Sequence, residues 1–221
     1  ISRNIPVFGK FKVTQGAVLV IDEEDHLRLL KKRLELLGAK ETDNIYYLSQ
    51  SGIKVDVETV RDEILEIVKE QNIKLLILDS LVRVHNQEEN DSGGMSKVFK
   101  SLQKILGEGA SILFTHHHRK QQGFGTNNPG QMMRGSSDIL AAVDCHITIE
   151  KKREEPDRLI IKQTKLRQAE ILQPFEISIL KGDLGPSGFE YAGGYDEKKK
   201  KAEEASEAVI AVLTDGMKSR T

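Results

Sequence analysis

The chain contains 221 residues, the length of one ordinary domain with a small appendage. Its 33 lysine and arginine residues nearly balance its 34 aspartate and glutamate residues, which excludes a global basic field for nucleic acid and leaves only local patches. The single cysteine, Cys145, excludes an internal disulfide, and no apolar run approaches the roughly 20 residues of a membrane helix. We therefore expect a cytoplasmic protein with no membrane partner.

Short apolar stretches alternate with amphipathic ones in the first half of the chain. The pattern predicts strands at 16–22, 44–49, 73–79 and 110–116, and helices at 26–38, 56–72 and 95–109. We expect Asp56 to cap the second of these helices. The continuous apolar run at 73–79 is typical of a strand inside a parallel sheet. The alternation predicts right-handed βαβ units and therefore an α/β fold.

The second half of the chain has a different pattern. Residues 118–131 are polar and include three glycines and a proline, which predicts a loop. A short helix is expected at 136–143, and alternation at 145–151, 158–164 and 175–180 predicts antiparallel strands added to the sheet. A glycine-rich hinge at 191–196 precedes a predicted helix at 198–216. We therefore divide the chain into a domain at 1–192 and a hinge and helix at 193–221, which would start a small C-terminal appendage.

Charged and polar residues follow three of the predicted parallel strands. Four acidic residues at 22–25 follow the first strand, Asp79 ends the third, and three histidines at 116–118 end the fourth. Ligands collect at such carboxyl ends, and one or two carboxylates with substrate phosphates suffice for Mg²⁺. Asp79 after an apolar strand matches the Walker B pattern, although a simple turn cap would look the same. Adjacent strand residues cannot converge on one ion, so we expect no zinc at the histidines.

Three stretches together resemble a known family. They are LILDSLVRVHNQEENDSGGM at 76–95, ILFTHHHRK at 112–120 and RGSSDILAAVD at 134–144. In this order and spacing they resemble the RecA-like ATPases of the RepA type, hexameric replicative helicases of plasmids and their phage and chromosomal relatives. The resemblance implies a mostly parallel, twisted sheet flanked by helices, with antiparallel strands at the C-terminal side. It also implies Mg²⁺-dependent hydrolysis of ATP between the subunits of a hexameric ring that binds single-stranded DNA.

The resemblance assigns nucleotide-binding roles to four residues. Asp79 would be the Walker B carboxylate that holds Mg²⁺ through its water shell. Ser80 and Arg134 would be further nucleotide-binding residues. His117 would contact the γ-phosphate, because a neutral imidazole can donate to a phosphate oxygen and report its loss.

The same resemblance places the catalytic carboxylate after the first strand. Glu24 would orient and deprotonate the attacking water. Glu23 is its immediate rival and Asp22 a weaker one. Because neighbouring strand residues point opposite ways, we expect only one of Glu23 and Glu24 to face the nucleotide.

Three basic residues are candidates for the positive charge that contacts the γ-phosphate. Asp144 stands where the plasmid helicases carry an arginine finger. KQTKLRQAEILQPFEI at 162–177 resembles the Lys-x-Arg strand of related bacterial helicases, in which Lys165 and Arg167 would point toward a neighbouring subunit's γ-phosphate. A solvated strand face is the alternative for these two residues, and Arg134 is a third candidate that would act within its own subunit.

The loop at 119–133 lies where RecA-like proteins contact DNA. Arg119 and Lys120 would bind phosphates, with help from Arg134, and Phe124 would stack on a base. The alternative is a flexible polar loop without a ligand.

One expected motif does not occur in the 221 residues. The glycine-rich loop G-x-x-x-x-G-K-[ST], which cradles phosphates at the start of a helix, has no match. We expect the first strand, this loop and the first helix to precede Ile1 in the complete protein. The alternative is a truncated protein that lost them, which would be a non-hydrolysing DNA-binding or assembly subunit on a decayed fold.

Overall fold

The computed structural model describes residues 1–117, 137–152 and 155–196. The helices are α1 (Leu27–Leu36), α2 (Glu58–Glu70), α3 (Ser92–Leu106) and α4 (Ser137–Ala142). The strands are β1 (Ala17–Asp22), β2 (Ile45–Ser49), β3 (Ile73–Asp79), β4 (Ser111–Phe114), β5 (Cys145–Lys151), β6 (Arg158–Leu166), β7 (Phe175–Gly182) and β8 (Gly185–Gly194).

The first four strands form a parallel sheet in the order β2-β1-β3-β4. Asp22 at the end of β1 pairs in register with Asp79 at the end of β3. On the other side of β3, Leu78 pairs with Phe114, the last residue of β4. The carboxyl ends of β1, β3 and β4 therefore meet at one edge of the sheet.

The main core covers one face of this sheet. Leu19 and Ile21 of β1 lie beside Leu76 and Leu78 of β3, and none of the four is more than 1% exposed. Helices α2, α3 and α4 pack against this face through buried apolar residues at helical spacing: Ile64, Val68, Met95, Val98, Leu102, Ile105 and Ile139. This closely packed core fixes the strands, and with them the side chains at their carboxyl ends. In the described part of the chain, no helix is long and apolar enough to cross a membrane.

The last four strands form a separate antiparallel sheet in the order β5-β6-β7-β8. Antiparallel strands on the C-terminal side were expected and are present, but they pair with one another: within the described residues no ladder joins β4 to β5. Phe175 and Ile177 lie in the core of this second sheet, and Phe8 and Phe11 of the N-terminal segment pack against them.

The second sheet extends further along the chain than the sequence pattern indicates. Gly193 and Gly194 belong to β8 and pair with Glu176 and Phe175 of β7, so they form strand where a hinge was expected. The sequence signal fails here because glycine has a weak strand propensity, and the strand depends on its pairing with β7. The predicted helix at 198–216 lies outside the described residues.

Two helices begin differently from the prediction. Helix α2 begins after Val57, and Asp56 does not cap it. The Asp56 carboxylate instead accepts hydrogen bonds from the backbone N–H of Asn86, at 3.1 Å, and from Nε2 of Gln87, at 2.7 Å. Helix α3 begins three residues before the predicted start, because the Asp91 carboxylate accepts hydrogen bonds from two N–H groups of its first turn.

Candidate functional site

The aligned ends of β1, β3 and β4 bring together the carboxylates and the histidine that the sequence singles out. Asp79 is half-buried at the end of β3, and the peptide bond that follows it is cis. Its Oδ1 accepts a hydrogen bond of 2.6 Å from the hydroxyl of Thr115, which follows β4. No described donor reaches the other oxygen, Oδ2, so Asp79 keeps an oxygen available to a hydrated cation.

Glu24 faces this edge of the sheet. Its Oε1 accepts a hydrogen bond of 2.5 Å from the buried hydroxyl of Ser80, and lies 3.7 Å from Nε2 of His117 and 3.9 Å from Nε of Arg83. The Ser80 hydrogen bond is the main reason that the pKa of Glu24 lies below its ordinary value; partial burial opposes the shift and His117 adds to it. Glu24 is therefore an ionised carboxylate at neutral pH.

A buried aspartate directs Glu24 toward the site. Asp22 is 2% exposed, and its Oδ1 accepts hydrogen bonds from the backbone N–H groups of Glu24, at 2.9 Å, and Asp25, at 2.8 Å. These hydrogen bonds fix the backbone directly after β1. Asp22, considered from the sequence as a weak candidate for the base, therefore has a backbone-binding role.

Glu23 points to a different part of the molecule. Its two carboxylate oxygens accept hydrogen bonds from the backbone N–H groups of Gly52, at 3.1 Å, and Ile53, at 3.0 Å. Glu23 thus holds the loop after β2, and of the two neighbours it is Glu24 that faces Ser80 and His117. The geometry favours Glu24 for the role of base.

The side chains of the three residues after β4 point in alternating directions, as in a strand. Thr115 reaches Asp79, and the largely exposed His117 reaches Glu24. Between them, the His116 side chain is 7% exposed and lies with its Nδ1 3.4 Å from Oε1 of Glu89. Sequence reasoning missed Thr115, although its position two residues before His117 was a usable signal.

Lys165 lies near the end of β6 and Arg167 directly follows the strand, and both side chains contact the end of α4. Nζ of Lys165 donates to the carbonyl oxygens of Leu140, at 2.7 Å, and Ala141, at 3.1 Å. Arg167 donates to the Ala141 carbonyl through Nη2, and through Nη1 to Oδ1 of Asp144, at 2.9 Å. Burial, and after it the charge of Arg167, lowers the pKa of Lys165. In this chain both cations bind the carboxyl end of a helix.

Four of the predicted ligand-binding residues lie outside the described residues. They are Arg119, Lys120, Phe124 and Arg134, and the same holds for His118.

A cleft of about 530 Å³ lies between the edge of β4 and strand β5. Leu113 of β4 and Ile147 of β5 line it and are 50% and 49% exposed. Among the described strands, β4 pairs only with β3 and β5 only with β6, so each presents an edge with unpaired backbone groups. Such edges pair readily with a further strand. The cleft therefore has both the space and the pairing groups for an extended apolar segment.

The residues present fit one half of a nucleotide site. Hard oxygen donors suited to Mg²⁺ stand at the end of β3, and an ionised carboxylate stands beside them. The backbone N–H groups that would cradle phosphates are not provided by any glycine-rich loop of the Walker A type in the sequence.

The sequence profile of the AAA domain family matches residues 1–123, more than half of the chain. The fold is similar to that of a solved ATPase domain, with a TM-score of 0.61 and 12% identity over 80% of this chain and 75% of that one. A DnaB-like replicative helicase, described with its interactions with primase, gives a TM-score of 0.61 and 14% identity; the match covers 79% of this chain and half of that protein. A KaiC-like protein from Pyrococcus horikoshii OT3 gives a TM-score of 0.52 and 18% identity; the match covers 80% of this chain and 76% of that one. At these identities the likeness shows a shared RecA-like fold.

Proposed function

The chain belongs to the AAA domain family, and we propose that it is the metal-binding and water-activating part of a Mg²⁺-dependent ATPase motor of the replicative-helicase type. One observation carries the proposal. Glu24, two residues after β1, is held by the hydroxyl of Ser80, the residue that follows Asp79, and lies next to His117. A base, a cation ligand and a donor for phosphate oxygen are the groups that hydrolysis of a phosphoanhydride requires.

Each group has a role in the proposed reaction. Asp79 would hold Mg²⁺ through bound water, and the ion, when bound, neutralises charge on the phosphate oxygens. Glu24 would accept a proton from the attacking water. The water oxygen would add to the γ-phosphorus while the bond between that phosphorus and the oxygen bridging to the β-phosphate breaks. His117 would donate to a γ-phosphate oxygen. The products are ADP and phosphate.

The phosphate-binding loop would come from a segment preceding residue 1 in the complete protein. The cleft between β4 and β5 supports this proposal, because a strand seated there parallel to β4 would end at the same edge of the sheet as Asp79 and Thr115. A glycine-rich loop after that strand would bring its backbone N–H groups to this edge.

We further propose that the complete protein forms a hexameric ring of the RepA type that acts on single-stranded DNA in the cytoplasm. The residues at 119–134, including Arg119, Lys120, Phe124 and Arg134, would provide the DNA contacts and a nucleotide contact. Arg167, with Lys165, would serve the neighbouring subunit's γ-phosphate, which requires release from the α4 carbonyls and Asp144.

A second candidate function is a non-hydrolysing DNA-binding or assembly subunit. The lack of a Walker A loop in the 221 residues favours it. The difference between the two candidates lies in the phosphate cradle, which is therefore the object of the test.

Phosphate release should be measured with the 221-residue chain and with the protein extended at its N-terminus by the preceding coding sequence, each with Mg²⁺ and with a chelator. We expect no turnover by the chain alone and Mg²⁺-dependent turnover by the extended protein. ATP hydrolysis by the chain alone, free of contaminating enzymes, would contradict the proposal that these residues form only one half of the nucleotide site. An extended protein that carries no Walker A loop and does not hydrolyse ATP would establish the assembly subunit instead.

A further inference from the structure

The acidic stretch at 88–90 has no role in the reaction proposed above. It lies in the segment between β3 and α3, and its two glutamates differ sharply. Glu88 is exposed, whereas the side chain of Glu89 is only 11% exposed. A carboxylate is costly to bury unless a partner compensates the charge, so the position of Glu89 calls for an explanation.

The segment that carries Glu89 is held at both ends. On one side, Asp56 accepts hydrogen bonds from Asn86 and Gln87. On the other, the Asp91 carboxylate accepts hydrogen bonds of 3.0 Å from the first turn of α3. The backbone on either side of Glu89 is therefore fixed, and its carboxylate is directed into the protein.

The group that Glu89 meets is the imidazole of His116. Oε1 of Glu89 lies 3.4 Å from Nδ1, and no other described basic side chain comes within 4 Å of this carboxylate. Both side chains are mostly buried, and Nδ1 of His116 faces the Glu89 carboxylate at a distance that needs only a small adjustment to become a hydrogen bond. The pair joins the segment after β3 to the chain that leaves β4.

His116 is the middle one of three residues that each meet an acidic side chain. Thr115 donates to Asp79 and His117 lies next to Glu24, while His116 faces the opposite way, toward Glu89. In extended chain the direction of one side chain fixes those of its neighbours. An inward anchor at His116 therefore keeps Thr115 and His117 turned toward the candidate site.

We propose that Glu89 is a positioning residue: acting through His116, it sets the direction of the chain after β4 and so presents His117 to Glu24 and Thr115 to Asp79. The catalytic consequence rests on the proposed function. The link between Glu89 and the orientation of His117 does not, because it concerns the folded chain alone.

The link can be tested on the 221-residue chain by imidazole and backbone ¹⁵N spectra of Glu89→Gln, with Glu88→Gln as the matched control. In the unsubstituted protein we expect the His116 tautomer that carries its proton on Nδ1, facing Glu89. Glu89→Gln should shift the His116 ring signals and the amide signals of Thr115 and His117, and Glu88→Gln should shift none of them. A His116 proton confined to Nε2 would overturn the proposal. So would Glu89→Gln signals of His116 and His117 that match those of Glu88→Gln and of the unsubstituted protein.

Thermal unfolding followed by circular dichroism shows whether Glu89→Gln folds. If it does not, the double variant Glu89→Gln with His116→Gln removes the carboxylate and the imidazole together, and the same shifts of Thr115 and His117 are then expected. Unchanged Thr115 and His117 signals in the folded double variant would equally refute the anchor.

The catalytic consequence needs the N-terminally extended, hydrolysing protein. Because a misplaced group costs up to about 10²-fold in rate, Glu89→Gln should lower kcat by roughly 10- to 10²-fold and leave KM for ATP unchanged, while Glu88→Gln changes neither. Unchanged kcat in Glu89→Gln would refute the positioning role. If the extended protein hydrolyses no ATP at all, the proposed function fails, and the spectra still decide whether Glu89 anchors His116.

Discussion

Replacing Ser80 by alanine tests the electrostatics of the candidate base in the folded chain, independently of any turnover. The Ser80 hydroxyl donates to the Glu24 carboxylate at 2.5 Å, and this hydrogen bond is the main cause of the lowered pKa of Glu24. A hydrogen bond to a charged group contributes about 1.5–3 kcal/mol to stability. The Glu24 side chain is 35% exposed, so solvent screening reduces the expected loss on Ser80→Ala to about 1 kcal/mol of unfolding free energy at pH 7.

The pH dependence of that loss distinguishes the charge from simple packing. Because folding lowers the pKa of Glu24, the stability that comes from the bond is fully present above the ordinary glutamate value of 4.5, and it is lost as the pH falls through the folded value. Ser80→Ala should therefore destabilise the chain at pH 7 and progressively less toward pH 3.

Urea unfolding of both proteins across this pH range provides the measurement. Ser49→Ala is the control, because the Ser49 hydroxyl donates at 2.8 Å to an uncharged group, the carbonyl oxygen of Asp25. Its effect should not change with pH. If Ser80→Ala costs the same free energy at every pH, as Ser49→Ala should, then Ser80 does not stabilise the charge of Glu24 and the reasoning is wrong.

Three further predictions concern turnover in the N-terminally extended protein. Glu24→Gln should lower kcat by roughly 10²-fold or more with nucleotide binding retained, whereas Glu23→Gln should remain active; the reverse order, measured by phosphate release, would show that the wrong neighbour was chosen. Mixing Arg167→Ala with Glu24→Gln protein should restore part of the activity that each lacks, since a mixed interface pairs an intact Glu24 with an intact Arg167; co-assembly without any recovery would exclude a finger acting between subunits. Thr115→Val removes the donor to Asp79, and a raised Mg²⁺ requirement, seen in a metal titration of the rate, is expected; an unchanged titration would show that Thr115 does not orient the metal ligand.

The parallel sheet could be predicted from the sequence because apolar runs and amphipathic stretches alternate strictly up to residue 116. The same logic predicts that Asp22, Asp79 and the residues after the fourth strand lie at one edge, and the register of the sheet brings the ends of β1, β3 and β4 together. The pattern could not predict in which direction the side chains after each strand point. The choice between Glu23 and Glu24 depends on a turn closed by Asp22 and on the N–H groups of the loop after β2, which are distant in sequence.

Where the prediction differed, long-range contacts had overridden a local signal. Asp56 has the residue type of a helix cap, but Asn86 and Gln87 lie close enough to use its carboxylate, and the helix begins two residues later. Gly193 and Gly194 have the composition of a hinge, but β7 offers them a pairing edge. Glu89 carries no local sign of burial, and only the fold brings His116 to it.

Asp144 and Arg167 form an ion pair, although the sequence gives no sign that these two residues lie together. Asp144 stands where the resemblance stated above leads one to expect an arginine, and Arg167 directly follows β6. Their side chains meet at 2.9 Å, directly after α4. The guanidinium therefore lies beside position 144, although Arg167 comes 23 residues later in the chain. The ion pair is exposed and therefore weak, so the proposed exchange of Asp144 for a phosphate would cost little. The mixing experiment is for this reason a test of Arg167 first and of Arg134 only if Arg167 fails.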